Sequence, residues 1–185
     1  MLQVRAEAID FARFYLCAQG RPKMKSIEPR PGTYALVLQA TARESIQIGR
    51  LGKLELRRGF YVYVGSAFGP GGVPARLRHH LTRATRPHWH IDYLRPATRL
   101  LEIWYSHDEA IHEHAWAEGI RRMRSASTPL PGFGSSDCRC PSHLSFHPER
   151  PSRRSLRRAL RRSLTRNAVL HRVTAAECVG TPGAG

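Results

Sequence analysis

Acidic residues are scarce in this chain. Fourteen Asp and Glu stand against thirty Lys and Arg, which leaves a formal charge of +16 over 185 residues. A surface that basic attracts polyanions, and nucleic acid is the commonest of these inside cells. Cysteine is sparse as well. Cys17, Cys138, Cys140 and Cys178 are too few for a disulfide-built secreted domain, and the single residue between Cys138 and Cys140 makes them poor partners for each other. No stretch approaches the roughly 20 apolar residues that a membrane span needs. The short apolar run at residues 11–18 follows Glu7 and Asp10, unlike the cationic start of a signal peptide. The chain therefore reads as a cytoplasmic protein with no membrane partner. Internal repeats are absent too.

What is present is enough apolar material for a core. Hydrophobic residues make up 41% of the chain, which excludes whole-chain disorder. Three segments are expected. Residues 1–28 form an N-terminal arm with a short helix, whose Ile9, Phe11, Phe14, Tyr15 and Leu16 could dock elsewhere. Residues 29–148 form the main domain, and residues 149–185 an Arg-rich tail with nine Arg and two Glu. Removing that tail still leaves a balance of +9, so the main domain is basic in its own right.

Within the main domain, residues 33–39 are rich in Tyr, Val and Leu, 45–49 and 53–57 alternate apolar with polar residues, and 59–65 are aromatic and β-branched, the four runs being broken by Gly and turn residues. That pattern predicts antiparallel strands, the middle two joined by a turn at Leu51 and Gly52. A Gly/Pro loop follows at 66–74, then a helix at 75–83. A strand is expected at 100–105 and a helix at 109–124, where Ile111, Trp116, Ile120 and Met123 recur at helical spacing. After a loop at 129–141 comes a short extended run at 144–146. In the tail, Leu156, Leu160 and Leu164 fall four apart on an Arg-covered helix. The fold class is therefore mixed α/β (α+β): a small, mainly antiparallel sheet flanked by helices, with a basic C-terminal helical arm.

Two short segments carry the functional reading. Gly32-Thr33-Tyr34 opens one strand and Tyr63-Val64-Gly65 closes another. A helix with Arg76 and His80 follows, and a later helix carries Glu113 and Glu118. This order resembles the GIY-YIG nuclease superfamily. The segments YVYVGSAFGPGGVPARLRHHL, HWHIDYL and FGSSDCRCPSHL resemble its Uri endonuclease branch more narrowly, over about residues 30–147. Two departures stand out. The first motif has Thr in its middle position, and Tyr34 lies 29 residues before Tyr63, a gap that a hairpin at 44–56 would fill.

The resemblance implies metal-dependent hydrolysis of DNA phosphodiester bonds, with Mg²⁺ or Mn²⁺ as cofactor and 5′-phosphate and 3′-hydroxyl products. Tyr34 or Tyr63 would take the proton of the attacking water, with His80 close by. A phenol with pKa near 10 needs neighbouring cations for that task. Arg76, at the matching motif position, would bind two non-bridging oxygens at once through its planar guanidinium. A carboxylate would hold the metal. Glu113 is preferred, from its helix face and its place in the branch, and Glu118 is the second choice because its AEGI setting resembles the superfamily's usual Glu helix.

Gly65, Ser66, Arg78, His88 and His90 are candidate nucleic-acid contacts. In HWHIDY, strand spacing would put His88, His90 and Asp92 on one face, with His90 and Asp92 as a buried hydrogen-bonded pair. Asp92, Cys138, Cys140 and His143 form a possible structural cluster. The C-x-C-x-x-H spacing is not a strong zinc pattern, so structural zinc is not expected. Tyr61 is read as a core residue turned away from Tyr63, and His107, His112 and His114 as exposed residues without a role. The alternatives are a nucleic-acid-binding module that does not cleave and a zinc-stabilised interaction domain.

Overall fold

The computed structural model describes residues 27–82, 86–110 and 112–175. The N-terminal helix expected within residues 1–26 and the small-residue C-terminus lie outside them. Five antiparallel strands form the main sheet. They are β1 (Thr33–Ala40), β4 (Gly59–Ser66), β5 (Arg99–Ser106), β6 (Leu144–His147) and β7 (His171–Thr174), in the order β6-β4-β1-β5-β7. β2 (Glu44–Ile48) and β3 (Gly52–Leu56) make a separate two-stranded sheet, which is the hairpin filling the long gap between the two motif strands. The helices are α1 (Gly72–Leu81), α2 (His90–Leu94), α3 (Glu113–Arg121) and α4 (Arg153–Arg161). No helix among the described residues is long and apolar enough to cross a membrane.

The sheet is buried on both faces, which is why its central strands read as continuous apolar runs. On one face, Tyr34, Leu36 and Leu38 of β1 and Tyr61 and Tyr63 of β4 pack with Val73 and Leu77 of α1, Ile91 and Leu94 of α2, and the β2–β3 hairpin. On the other, Val37, Val62 and Trp104 meet Trp116 and Ile120 of α3 and Leu156 and Leu160 of α4. Tyr61 and Tyr63 thus share a face, as residues two apart on a strand must. The expectation that they point apart is corrected. Depth along the strand separates them instead: the Tyr61 hydroxyl accepts from the Arg57 N–H at 2.8 Å, beyond the strand's start.

Two elements differ from their expected form. HWHIDY is not extended. It enters α2, where Asp92 Oδ2 accepts the backbone N–H groups of Trp89 at 2.9 Å and His88 at 3.0 Å, closing the first turn. The third long helix is shorter than its periodicity predicts. It begins at Glu113, and Ile111 lies outside the described residues.

The basic segment after residue 148 packs against the main sheet. Ser152 caps α4 by accepting the Ser155 N–H at 3.1 Å, α4 buries Leu156, Ala159 and Leu160, and β7 pairs with β5. The carboxylate of Glu102, buried on β5, draws this segment in. It pairs with Arg150, lies 3.7 Å from Arg153 and 3.6 Å from Arg172, and accepts the Trp104 indole N–H at 3.2 Å. A buried carboxylate demands such partners, and only the Arg-rich segment supplies them in number.

Candidate active site

Glycine opens the site. In the register of the central pair, Tyr34 faces Gly65 and Leu36 faces Tyr63. Any Cβ at Gly65 would overlap the Tyr34 hydroxyl, so glycine there is what lets the phenol ring lie across β4. Gly32, just before β1, is equally confined, since a Cβ there would strike the Ser106 carbonyl of β5. The start of α1 is then pinned to the chain just before β1. Val73 N–H donates to the Arg30 carbonyl at 2.9 Å, and Ala67 N–H to the Gly32 carbonyl at 2.8 Å.

That anchoring aims Arg76 and His80, one helical turn apart, at the two tyrosines. Tyr34 Oη lies 2.6 Å from His80 Nε2, and the three rings of Tyr34, Tyr63 and His80 form a mutual cluster with centroids 5.3–6.5 Å apart. Together with Arg76 and Glu113 they line a cavity of about 430 Å³. Gly65, Ser66, His88 and His90 line the same cavity. Arg78 does not; it is exposed on the outer side of α1.

The two glutamates of α3 go to different places. Glu113, at its first turn, faces the cavity, where Oε1 lies 2.9 Å from Nδ1 of the buried His143 and Ser66 supplies a further hydrogen bond. Glu118 points outward and pairs with Arg121 at 2.8 Å and Arg122 at 2.5 Å. Its AEGI setting has a packing explanation. Gly119 lies against α4, where a Cβ would come within 3.2 Å of the Ala159 carbonyl.

Asp92 and His90 do not bond as expected. Asp92 Oδ1 takes the side chain of His79 at 3.0 Å, while His90 Nδ1 accepts the Gly134 N–H at 2.9 Å. The reason is the helix: residues two apart on α2 point to different sides, whereas on a strand they would align. Asp92 therefore braces α1 from behind, and His90 fixes the loop that forms the cavity's far wall.

Electrostatics follow burial. Tyr34 and Tyr63 are both held above the usual phenol range, by loss of hydration first and by nearby acidic or phenolic groups second, with Arg76 pulling the other way. His80 is pushed down to about 3, by burial and then by the neighbouring His79 and Arg95, and so stays neutral. Burial opposes ionisation of Glu113 too, but its hydrogen bonds to His143 and Ser66 outweigh that, and its carboxyl sits below the ordinary range. The cavity thus holds neutral phenols, a neutral imidazole and an ionised carboxylate beside Arg76. An ionised carboxylate with neighbouring hydroxyls is a hard oxygen donor set of the kind that suits a hydrated divalent cation.

Sequence reasoning passed over three contributors. Trp89, partly exposed, stacks on Arg76 with the guanidinium carbon 4.4 Å from the ring centroid and so fixes its aim. Ser136 and Asp137, on the loop after α3, close the cavity wall. A Trp between two His was the available signal for the first; Ser136 and Asp137 lie inside FGSSDCRCPSHL, a segment that carries the resemblance but in which neither was given a site role.

A family model described as Domain of unknown function DUF123 matches residues 33–166. No curated protein matches the chain, and no solved structure does.

Proposed function

The chain belongs to the DUF123 family, and we propose that it is a metal-dependent endonuclease of the GIY-YIG type, in the Uri branch, that hydrolyses DNA phosphodiester bonds. One observation carries the reading: Tyr34 from β1, Tyr63 from β4, Arg76 and His80 from α1, and Glu113 from α3 line a single cavity. Phosphodiester hydrolysis needs a base for the water, a cation for the phosphoryl oxygens and a charge sink for the departing oxygen, and these groups supply that set.

Tyr34 is the base in this scheme. His80 Nδ1 has no hydrogen-bond partner among the described residues. The tautomer protonated at Nε2 leaves only a lone pair orphaned there, which costs less than an orphaned N–H. In that form Nε2–H donates to the Tyr34 oxygen and supports negative charge on it. Arg76 binds the non-bridging oxygens as charge grows on them, held in aim by Trp89. Tyr34 acts as the phenolate, its own proton released to solvent when cations occupy the site. Water then attacks phosphorus, its proton passes to the Tyr34 oxygen, and the bond to the 3′-oxygen breaks. That oxygen takes a proton from solvent, leaving 5′-phosphate and 3′-hydroxyl ends. Glu113, with Ser66 beside it, would hold Mg²⁺ or Mn²⁺, which supplies the positive charge that lowers a neighbouring phenol's pKa and neutralises the leaving oxygen. The free thiols Cys138 and Cys140 suit a reducing compartment such as the cytoplasm.

The test is nicking of supercoiled plasmid with Mg²⁺, with and without chelator, beside an Arg76→Ala variant. Mg²⁺-dependent nicking lost in the variant, with DNA binding retained, supports the reading. Binding without nicking by the unaltered protein makes the chain a nucleic-acid-binding module instead.

A further inference from the structure

Beside the cavity, on the far side of Glu113, four soft donors converge. His114 stands on the first turn of α3. Cys138, Cys140 and His143 come from the irregular loop between α3 and β6. Their ligand atoms all lie within 4.8 Å of one another. Cys138 Sγ is 3.4 Å from His143 Nε2, and Cys140 Sγ is 3.2 Å from His114 Nδ1. A tetrahedral zinc ion with Zn–S of about 2.3 Å and Zn–N of about 2.0 Å has S–N edges of roughly 3.5 Å and S–S edges of roughly 3.8 Å. Both S–N pairs with a stated distance stand close to such an edge, the remaining pairs lie within 4.8 Å, and both thiols are free.

The second nitrogen of His143 strengthens the case. Its Nδ1 lies 2.9 Å from Glu113 Oε1, on a ring that is almost wholly buried. That contact turns Nε2 toward the thiols. A carboxylate on the outer nitrogen is the usual partner of a metal-bound histidine, fixing both its tautomer and its orientation.

We propose that His114, Cys138, Cys140 and His143 bind one structural zinc ion, and that this centre holds Glu113 and the loop bearing Gly134, Ser136 and Asp137 in place. The C-x-C-x-x-H spacing supplies only three ligands and looks weak for that reason; the fourth comes from a helix start 24 residues earlier in the chain. Gly132 N–H to the Pro141 carbonyl and His143 N–H to the Phe133 carbonyl, both at 2.8 Å, close the base of the loop, His90 holds Gly134, and short turns join Ser135 N–H to the Gly132 carbonyl at 3.2 Å and Cys138 N–H to the Ser135 carbonyl at 3.3 Å. A zinc ion would add the tie from Cys138 and Cys140 to α3. A closed four-ligand zinc site is a structural one, so it complements the cation held at Glu113 and does not replace it.

The experiment is metal analysis of the full chain, made without an affinity tag or chelator, followed by cobalt substitution. One zinc per chain is expected. The cobalt form should show the strong visible bands of tetrahedral Co²⁺ and thiolate-to-metal charge transfer in the near ultraviolet. His114→Asn changes an exposed side chain, so the fold survives, and zinc affinity should drop roughly a hundredfold or more with the loss of one ligand in four. Glu113→Gln should weaken zinc about 10- to 100-fold through His143, while Glu118→Gln leaves it unchanged. Absence of zinc together with absence of thiolate charge transfer overturns the proposal. So does wild-type zinc affinity in His114→Asn. None of these readouts involves cleavage, so the zinc centre and the nuclease reading stand or fall separately.

Discussion

Tyr34 and His80 come from a strand and a helix 46 positions apart and meet at 2.6 Å through Oη and Nε2, both almost wholly buried. Each is the other's polar partner. Tyr34→Phe removes the hydroxyl, keeps the ring packing and strands the imidazole. Cleavage should fall about 10²- to 10⁴-fold, the range for losing a positioned proton acceptor. Stability should fall by about 1–3 kcal/mol, since a buried polar group loses its partner. Single-turnover cleavage and urea titration measure the two. Full-rate cleavage in the variant would remove Tyr34 from the mechanism and leave Tyr63 as the remaining phenol.

The two glutamates of α3 separate the site from the surface. Glu113→Gln should lower Mg²⁺-dependent cleavage by about 10² or more, as expected when one group that stabilises developing charge is lost. Glu118→Gln should leave it within about twofold, because that carboxylate meets only Arg121 and Arg122 on the outer face, where such pairs contribute little. The metal-concentration dependence of cleavage distinguishes them. Loss of cleavage in Glu118→Gln with retention in Glu113→Gln would reverse the assignment.

The strands of the main sheet were legible because burial on both faces makes them apolar throughout. Both motif tyrosines and the Arg76 helix could be placed from order alone. The errors have local causes. α2 is a five-residue helix, too short to show a 3.6-residue period, and Asp92 closes its first turn with N–H groups that no pattern advertises. The fate of the basic segment depends on Glu102, a single buried carboxylate inside a strand, which the sequence presents like any other acidic residue. His114 gains a meaning only when the loop with Cys138 and Cys140 folds back on α3. Long-range pairings of this kind are a property of tertiary structure, not of spacing.

Glu102 makes the C-terminal segment testable. Glu102→Gln keeps the shape but removes the negative charge shared by Arg150, Arg153 and Arg172. Those guanidiniums are partly hydrated, so the cost should be roughly 1–3 kcal/mol, below that of breaking a wholly buried pair. Leu160→Ala, on the core face of α4, should cost about 2–5 kcal/mol through the cavity it leaves. Both variants should expose the arginines of α4 to trypsin sooner than in the unaltered protein. Limited proteolysis beside urea titration reads this out. Unchanged cleavage kinetics by trypsin in both would mean that α4 is not anchored by these contacts.

Two buried histidines make the largest histidine contributions to the pH dependence of stability, with His90 and His171 shifted the same way. Burial pushes His80 down to about 3 and His147 down to about 4, against 6.5 for the free side chain. Between those limits the unfolded chain binds protons that the folded chain refuses. Stability therefore rises with pH across this window and falls on acidification from about 6.5 toward 4, by up to roughly 1.4 kcal/mol per pH unit for each histidine. Above about 7 both states are neutral at these positions and the effect vanishes. Asp92 acts lower down: burial raises it, but the His88 and Trp89 N–H groups and His79 more than compensate, so its stabilisation is lost only as pH drops through its depressed folded value. Urea titrations at half-unit steps from pH 4.5 to 8 should show the slope. His147→Leu should flatten it by up to one proton while leaving the region above pH 7 parallel to wild type. A slope that persists unchanged in this variant would mean that His147 takes up its proton in the folded protein as readily as in the unfolded chain.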